Sequence, residues 1–204
     1  MLKKISNNIW KLGLDSNLYL LDFDQKIIID TGDRIKSSVL KLLLPKLIAL
    51  DKVEKVIFTH LHYDHIGNAD LFPNAEFFAS KQEIKDFKEN PEFTVLDAEI
   101  IARMKFLDEK LKPMVNMNGL QTINTPGHTR GSICLWYEKD KVLFTGDTYF
   151  GGNIETGVNL CVGRTDLPTS ISEEMKKSLE KVKKIQEQNK NLKLCPGHDY
   201  CGAD

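Results

Sequence analysis

The chain has 204 residues, 41% of them hydrophobic, with 13 glycines and 7 prolines. That length supports one buried core and leaves little room for two independent domains, and the composition excludes a disordered or fibrous chain. A formal net charge of −1 provides no long-range basic field, so neither nucleic acid nor an anionic membrane is an expected partner.

A single domain spanning residues 1–204 is therefore expected. Lys3 and Lys4 precede an apolar run that is broken by Asn7, Asn8, Lys11 and Asp15, a pattern unlike a secretory leader. No segment is long and apolar enough to span a bilayer. Cys134, Cys161, Cys195 and Cys201 show no C-x-x-C spacing, so they are read as reduced thiols in a cytoplasmic protein, with Cys134 in the core.

In chain order, Leu18–Leu21 and Ile27–Ile29 predict a strand pair that exits into Asp30-Thr31-Gly32. From Arg34 to Leu50, Ile35, Val39, Leu42, Leu43 and Leu47 recur at helical spacing, and Pro45 should shorten that helix. Strands are predicted at Val56–Thr59 and Glu76–Ala79, with a polar helix from Lys81 to about Lys88. The stretch from Pro91 to Met117 is the least legible. Its Met104, Phe106, Leu107, Leu111, Met114 and Met117 fit core packing better than a cap over a pocket. Strands follow at Gln121–Ile123, Ile133–Tyr137, Val142–Thr145 and Leu192–Cys195, with an amphipathic helix from Ser172 to Gln188 whose lysines alternate with glutamates as a solvated face.

Chemistry concentrates where strands end. Thr59-His60-Leu61-His62-Tyr63-Asp64-His65 places four donors within six residues directly after a strand. Neutral imidazole and carboxylate are ligands for zinc, and a catalytic site keeps a position open for water. His128 lies in Thr125-Pro126-Gly127-His128 and His198 in Pro196-Gly197-His198-Asp199, two Pro-Gly-His turns that each follow a short apolar strand. Proline fixes φ and glycine permits unusual φ, so such a turn can hold its imidazole rigidly. Asp147 follows another strand, in Thr145-Gly146-Asp147-Thr148.

His60, His62, Asp64, His65, His128, Asp147 and His198 resemble, in order and local context, the metal ligands of the metallo-β-lactamase superfamily. The resemblance runs from about Ile9 to the C-terminus. It implies an α+β fold, a four-layer αβ/βα sandwich with two divalent metal ions. It assigns His60, His62 and His128 to the first ion, Asp64, His65 and His198 to the second, and Asp147 as their bridge. Zinc is the expected metal, with iron or manganese compatible with the same donors. Asp30 looks like the carboxylate that orients ligands from behind.

Gly163-Arg164-Thr165-Asp166 and Pro196-Gly197-His198-Asp199-Tyr200 look most like the hydroxyacylglutathione hydrolase (glyoxalase II) branch. Full-length glyoxalase II adds a helical C-terminal domain that helps to bind glutathione, and this chain ends soon after His198. The resemblance therefore carries hydrolysis rather than glutathione recognition. The expected reaction is hydrolysis of a small-molecule acyl thioester or ester by metal-activated water, with Asp64 as the catalytic residue that also orients the water. Tyr149, Arg164 and Tyr200 are the expected substrate contacts, although Arg164 could instead pair with Asp166. The alternative is a mononuclear iron persulfide dioxygenase using His60, His128 and Asp147. A nuclease or a lactonase ranks below both, and a non-catalytic relative would be expected to have lost ligands, of which none is missing.

Overall fold

A computed structural model describes residues 1–200 and divides the chain into two compact units, Met1–Met114 and the remainder from Val115.

The first unit is built on a seven-stranded sheet in the order β1-β2-β3-β4-β5-β6-β7. β1 (Leu2–Ser6), β2 (Ile9–Leu14), β3 (Ser16–Asp22) and β4 (Lys26–Ile29) form an antiparallel meander. After α1 (Ser37–Leu43), β5 (Lys55–Ile57) joins β4 in parallel. The single turn α2 (Tyr63–Ile66) then leads to β6 (Glu76–Ala79), parallel to β5. α3 (Lys81–Glu89), α4 (Pro91–Val95), α5 (Ala98–Arg103) and α6 (Leu107–Lys110) precede β7 (Leu111–Pro113), which closes the parallel edge.

Alternate strand residues explain the packing. Leu18, Leu20, Ile28, Val56, Phe58 and Phe77 share one core cluster with Leu40 and Leu44 and with Phe87, Val95, Ile100, Met104 and Leu107. The intervening Tyr19, Leu21, Ile27, Ile29 and Ile57 are buried as well. A strand buried on both faces reads as a continuous apolar run rather than an alternation.

The second unit has a four-stranded sheet in the order β11-β10-β9-β8. β8 (Leu120–Asn124), β9 (Ile133–Tyr137) and β10 (Val142–Gly146) are antiparallel neighbours, and β11 (Lys193–Pro196) runs parallel to β10 after α7 (Ser172–Gln188). Met175, Leu179 and Val182 of α7 cluster with Cys134, Trp136 and Leu143, the i, i+4, i+7 stripe of an amphipathic helix on a sheet. Ion pairs Lys177–Glu174 (2.6 Å) and Lys183–Glu187 (3.8 Å) lie along this helix, in keeping with a solvated face.

Three differences from the sequence reading stand out. β1 and β2 were not foreseen. The helix expected over 34–50 is broken into α1 and a 3-10 turn at Leu44–Lys46, because Pro45 has no N–H to donate. Cys134 and Cys195 are buried and form no disulfide, but Cys161 is disulfide-bonded, which corrects its reading as a reduced thiol. Disulfide pairing depends on spatial proximity that sequence spacing does not carry. Cys201 lies outside the described residues. No helix among the described residues is long and apolar enough to cross a membrane.

Candidate functional site

In the first unit the donors stand on the chain that leaves β5. His60 and His62 lie on either side of Leu61, whose side chain is sunk in the core. In extended chain, residues i and i+2 face the same way, and His60 Nε2 comes within 3.1 Å of His62 Nδ1. Asp64 and His65 follow on α2, with His65 Nε2 3.7 Å from an Asp64 carboxylate oxygen. The His60 and His65 rings are 4.0 Å apart. Three of the four are buried, and Asp64 is part-exposed.

Asp30, at the exit of β4, is buried and has a positive φ of 52°. Its carboxylate accepts from Thr59 N–H (2.8 Å) and Thr59 Oγ1 (2.7 Å). Its other contact is His65 Nδ1 at 2.9 Å. A neutral His65 that donates from Nδ1 presents a lone pair at Nε2, the atom a cation would bind.

Other groups here were not foreseen. Asn68, fully buried, donates to the carbonyls of Thr31 and Gly32, each at 3.0 Å. Thr31 N–H in turn donates to the carbonyl of His65 at 2.7 Å, so the Asp30 loop is laced to α2. Ser16 Oγ donates to the carbonyl of Asp64, and Glu83 accepts from Leu61 N–H at 2.8 Å. Burial pushes the Tyr63 hydroxyl pKa upward, with Asp64 and Asp33 adding to the effect. Asp33 is pushed up by burial and, in part, by Asp64. A cation would relieve this accumulated negative field.

The second unit gathers its three donors on one atom. Asp147, just after β10, holds its Oδ2 3.4 Å from His128 Nε2 and 3.4 Å from His198 Nε2. Two ligands at about 2.0–2.1 Å from one tetrahedral ion are separated by about 3.3–3.4 Å, so the donor chemistry and the spacing both fit a metal. All seven residues fall within His/Asp groups able to hold an ion.

His128 is fixed from behind. Its Nδ1 meets the carbonyl of Arg164 at 2.8 Å, Ser170 Oγ donates to its carbonyl at 2.6 Å, and Ser178 Oγ of α7 donates to Pro126 O at 2.7 Å. Two glycines permit this. Gly127 has φ 152°, and a Cβ there would lie 2.8 Å from the Met175 backbone. Gly163 N–H donates to Asp147 O at 2.8 Å, and a Cβ on Gly163 would meet Asp147 O at 2.3 Å and His128 Nδ1 at 2.8 Å.

The expected substrate contacts are placed differently from one another. Tyr149 is 2% exposed in the core of the second unit, its hydroxyl donating to Gly152 O. Arg164 projects into solvent and forms two hydrogen bonds with Asp166, at 3.0 and 2.9 Å; its backbone carbonyl, not its side chain, touches His128. Tyr200 is half exposed, with its ring 5.1 Å from that of His198. Phe150, which the sequence did not single out, packs edge-on against His198 at 5.6 Å.

Comparison with known proteins gives a match to the family model described as the metallo-beta-lactamase superfamily over residues 13–198. A Methanocaldococcus jannaschii protein named "Probable metallo-hydrolase" is 32% identical, over 93% of this chain and 90% of its own. The hydroxyacylglutathione hydrolase of Francisella tularensis subsp. novicida is 28% identical over 89% of this chain but 62% of its own. A crystal structure of a protein in a di-iron-bound form superposes with a TM-score of 0.66 at 24% identity, covering 92% of this chain and 90% of that one.

Proposed function

This chain belongs to the metallo-β-lactamase superfamily and has its fold of mixed sheets and helices, and from that premise we propose that it is a metallo-hydrolase whose substrate is a small acyl thioester. The observation that carries the reading is the shared Asp147 Oδ2, 3.4 Å from both His128 Nε2 and His198 Nε2, a spacing suited to a carboxylate oxygen that bridges two cations.

On this reading residues 1–204 act as one catalytic domain. His60, His62 and His128 would hold the first of two divalent ions, Asp64, His65 and His198 the second, and Asp147 both. Zinc is the metal proposed. When bound, such a pair lowers the pKa of water toward about 7 and polarises a carbonyl. Asp64, part-exposed beside His65, serves as the catalytic carboxylate that orients the attacking water by accepting its hydrogen bond. Asp30 keeps His65 in the tautomer with hydrogen on Nδ1, and the Arg164 carbonyl does the same for His128. Tyr200 and Phe150 flank His198 and offer an apolar wall for the acyl group, and the Arg164 side chain is close in sequence but tied to Asp166. The thioester preference rests on the likeness to hydroxyacylglutathione hydrolases, one of which is cited above at 28% identity.

The test is metal content by elemental analysis, with thioester hydrolysis and persulfide-dependent oxygen uptake measured on the same preparation. About two ions per chain and hydrolysis that disappears in both His62→Ala and His198→Ala are expected. One iron per chain with oxygen uptake would move the protein to the dioxygenases.

A further inference from the structure

We propose that Glu83 is a positioning residue for the metal ligands, holding the peptide between His60 and His62 through its buried carboxylate; this rests on the metal-site reading above. β5 and β6 are parallel neighbours in the register Val56↔Phe77 and Ile57↔Phe78. The helix that follows β6 therefore starts beside the chain that leaves β5 with the His-Leu-His segment. Ser80-Lys81-Gln82-Glu83 has the sequence of a capping box, in which the glutamate reaches back to the N–H of its own cap. Ser80 plays its part, its Oγ accepting from Glu83 N–H at 3.1 Å. Glu83 Oε2 reaches across to Leu61 N–H at 2.8 Å.

The consequence is a clamp on one peptide from two sides. The Leu61 side chain is fully buried in the core cluster, and its N–H is held by a carboxylate that is itself 1% exposed. Holding Leu61 at both ends restrains the backbone that carries His60 and His62. Burying a carboxylate is costly unless positive charge or hydrogen bonds compensate it. A cation bound by the two adjacent imidazoles would add to that compensation, so the helix cap and the metal site favour the same placement of Glu83.

The experiment compares wild type, Glu83→Ala and Glu83→Gln. Zinc affinity is read by competition with a chromophoric chelator, folding by urea denaturation of the metal-free proteins, and the Leu61 amide by hydrogen exchange. We expect Glu83→Ala to bind zinc about 10–100-fold more weakly. Glu83→Gln, which retains an acceptor oxygen, should recover most of the affinity. In the metal-free wild type the Leu61 amide should be protected from exchange. The proposal is overturned by a folded Glu83→Ala with wild-type affinity, by a Glu83→Gln as weak as the alanine variant, or by rapid Leu61 exchange in the folded wild type. Wild-type protein that takes up no zinc would instead sink the hydrolase reading, and the amide measurement still reads Glu83 without metal.

Discussion

His65 and His128 each have one ring nitrogen engaged by a group whose sole effect on the site is orientation, the Asp30 carboxylate in one case and the Arg164 carbonyl in the other. Removing such a partner leaves the ligand present but free to turn, and typically weakens metal binding 10–100-fold. Asp30→Ala is expected to show that loss in a chelator competition assay, together with lower stability, because two Thr59 donors also lose their acceptor. Gly163→Ala tests the second partner without replacing a donor. Its new methyl would fall 2.3 Å from Asp147 O, and overpacking of that kind costs about 1–3 kcal/mol, measurable by urea denaturation. Its metal affinity should fall in parallel, since His128 and Asp147 are both displaced. At this scale the sequence singled out the candidate donors and Asp30, whose types and spacing are themselves the signal. It could not reveal Glu83 or Asn68, polar residues in ordinary helical or loop sequence whose targets are backbone groups far along the chain. Arg164 was singled out as a substrate contact, yet the atom that meets His128 is a carbonyl that any residue would supply.

Among the elements, α7 bears on the site through its packing. Its first turns approach Gly127 closely enough that only a glycine fits, and Ser178 binds the carbonyl of Pro126. Truncating its buried stripe with Leu179→Ala should cost about 2–5 kcal/mol, read as a lower urea midpoint at an unchanged slope. α7 and β9 match the predicted limits to the residue, because an uninterrupted apolar period leaves a helix or strand no competing register. β1 and β2 escaped because they are less regular. β1 is largely exposed and has an irregular register with β2, so neither a period of two nor a solid apolar run marks it. The 91–117 stretch resolved into short helices and strand β7, which place Met104, Leu107 and Leu111 in the core, where tertiary packing and not local period sets the conformation.

For the whole molecule, the metal reading makes a simple demand. Dialysis against a strong chelator should abolish turnover, and stoichiometric zinc should restore it with the same KM, as measured by steady-state thioester hydrolysis. Activity that survives stripping would refute metal-dependent hydrolysis. The sequence by itself marked the family and the seven candidate donors, because each lies in a segment that follows a strand and local sequence fixes where strands end. The tertiary structure decided what stands behind the donors: Asp30 on His65, the Arg164 carbonyl on His128, Glu83 on Leu61 and Asn68 on the Asp30 loop. These contacts join residues 22 to 37 positions apart, so they arise only once parallel strands bring their C-terminal loops together or a loop folds back on its sheet. No window of local sequence contains both partners of any of them.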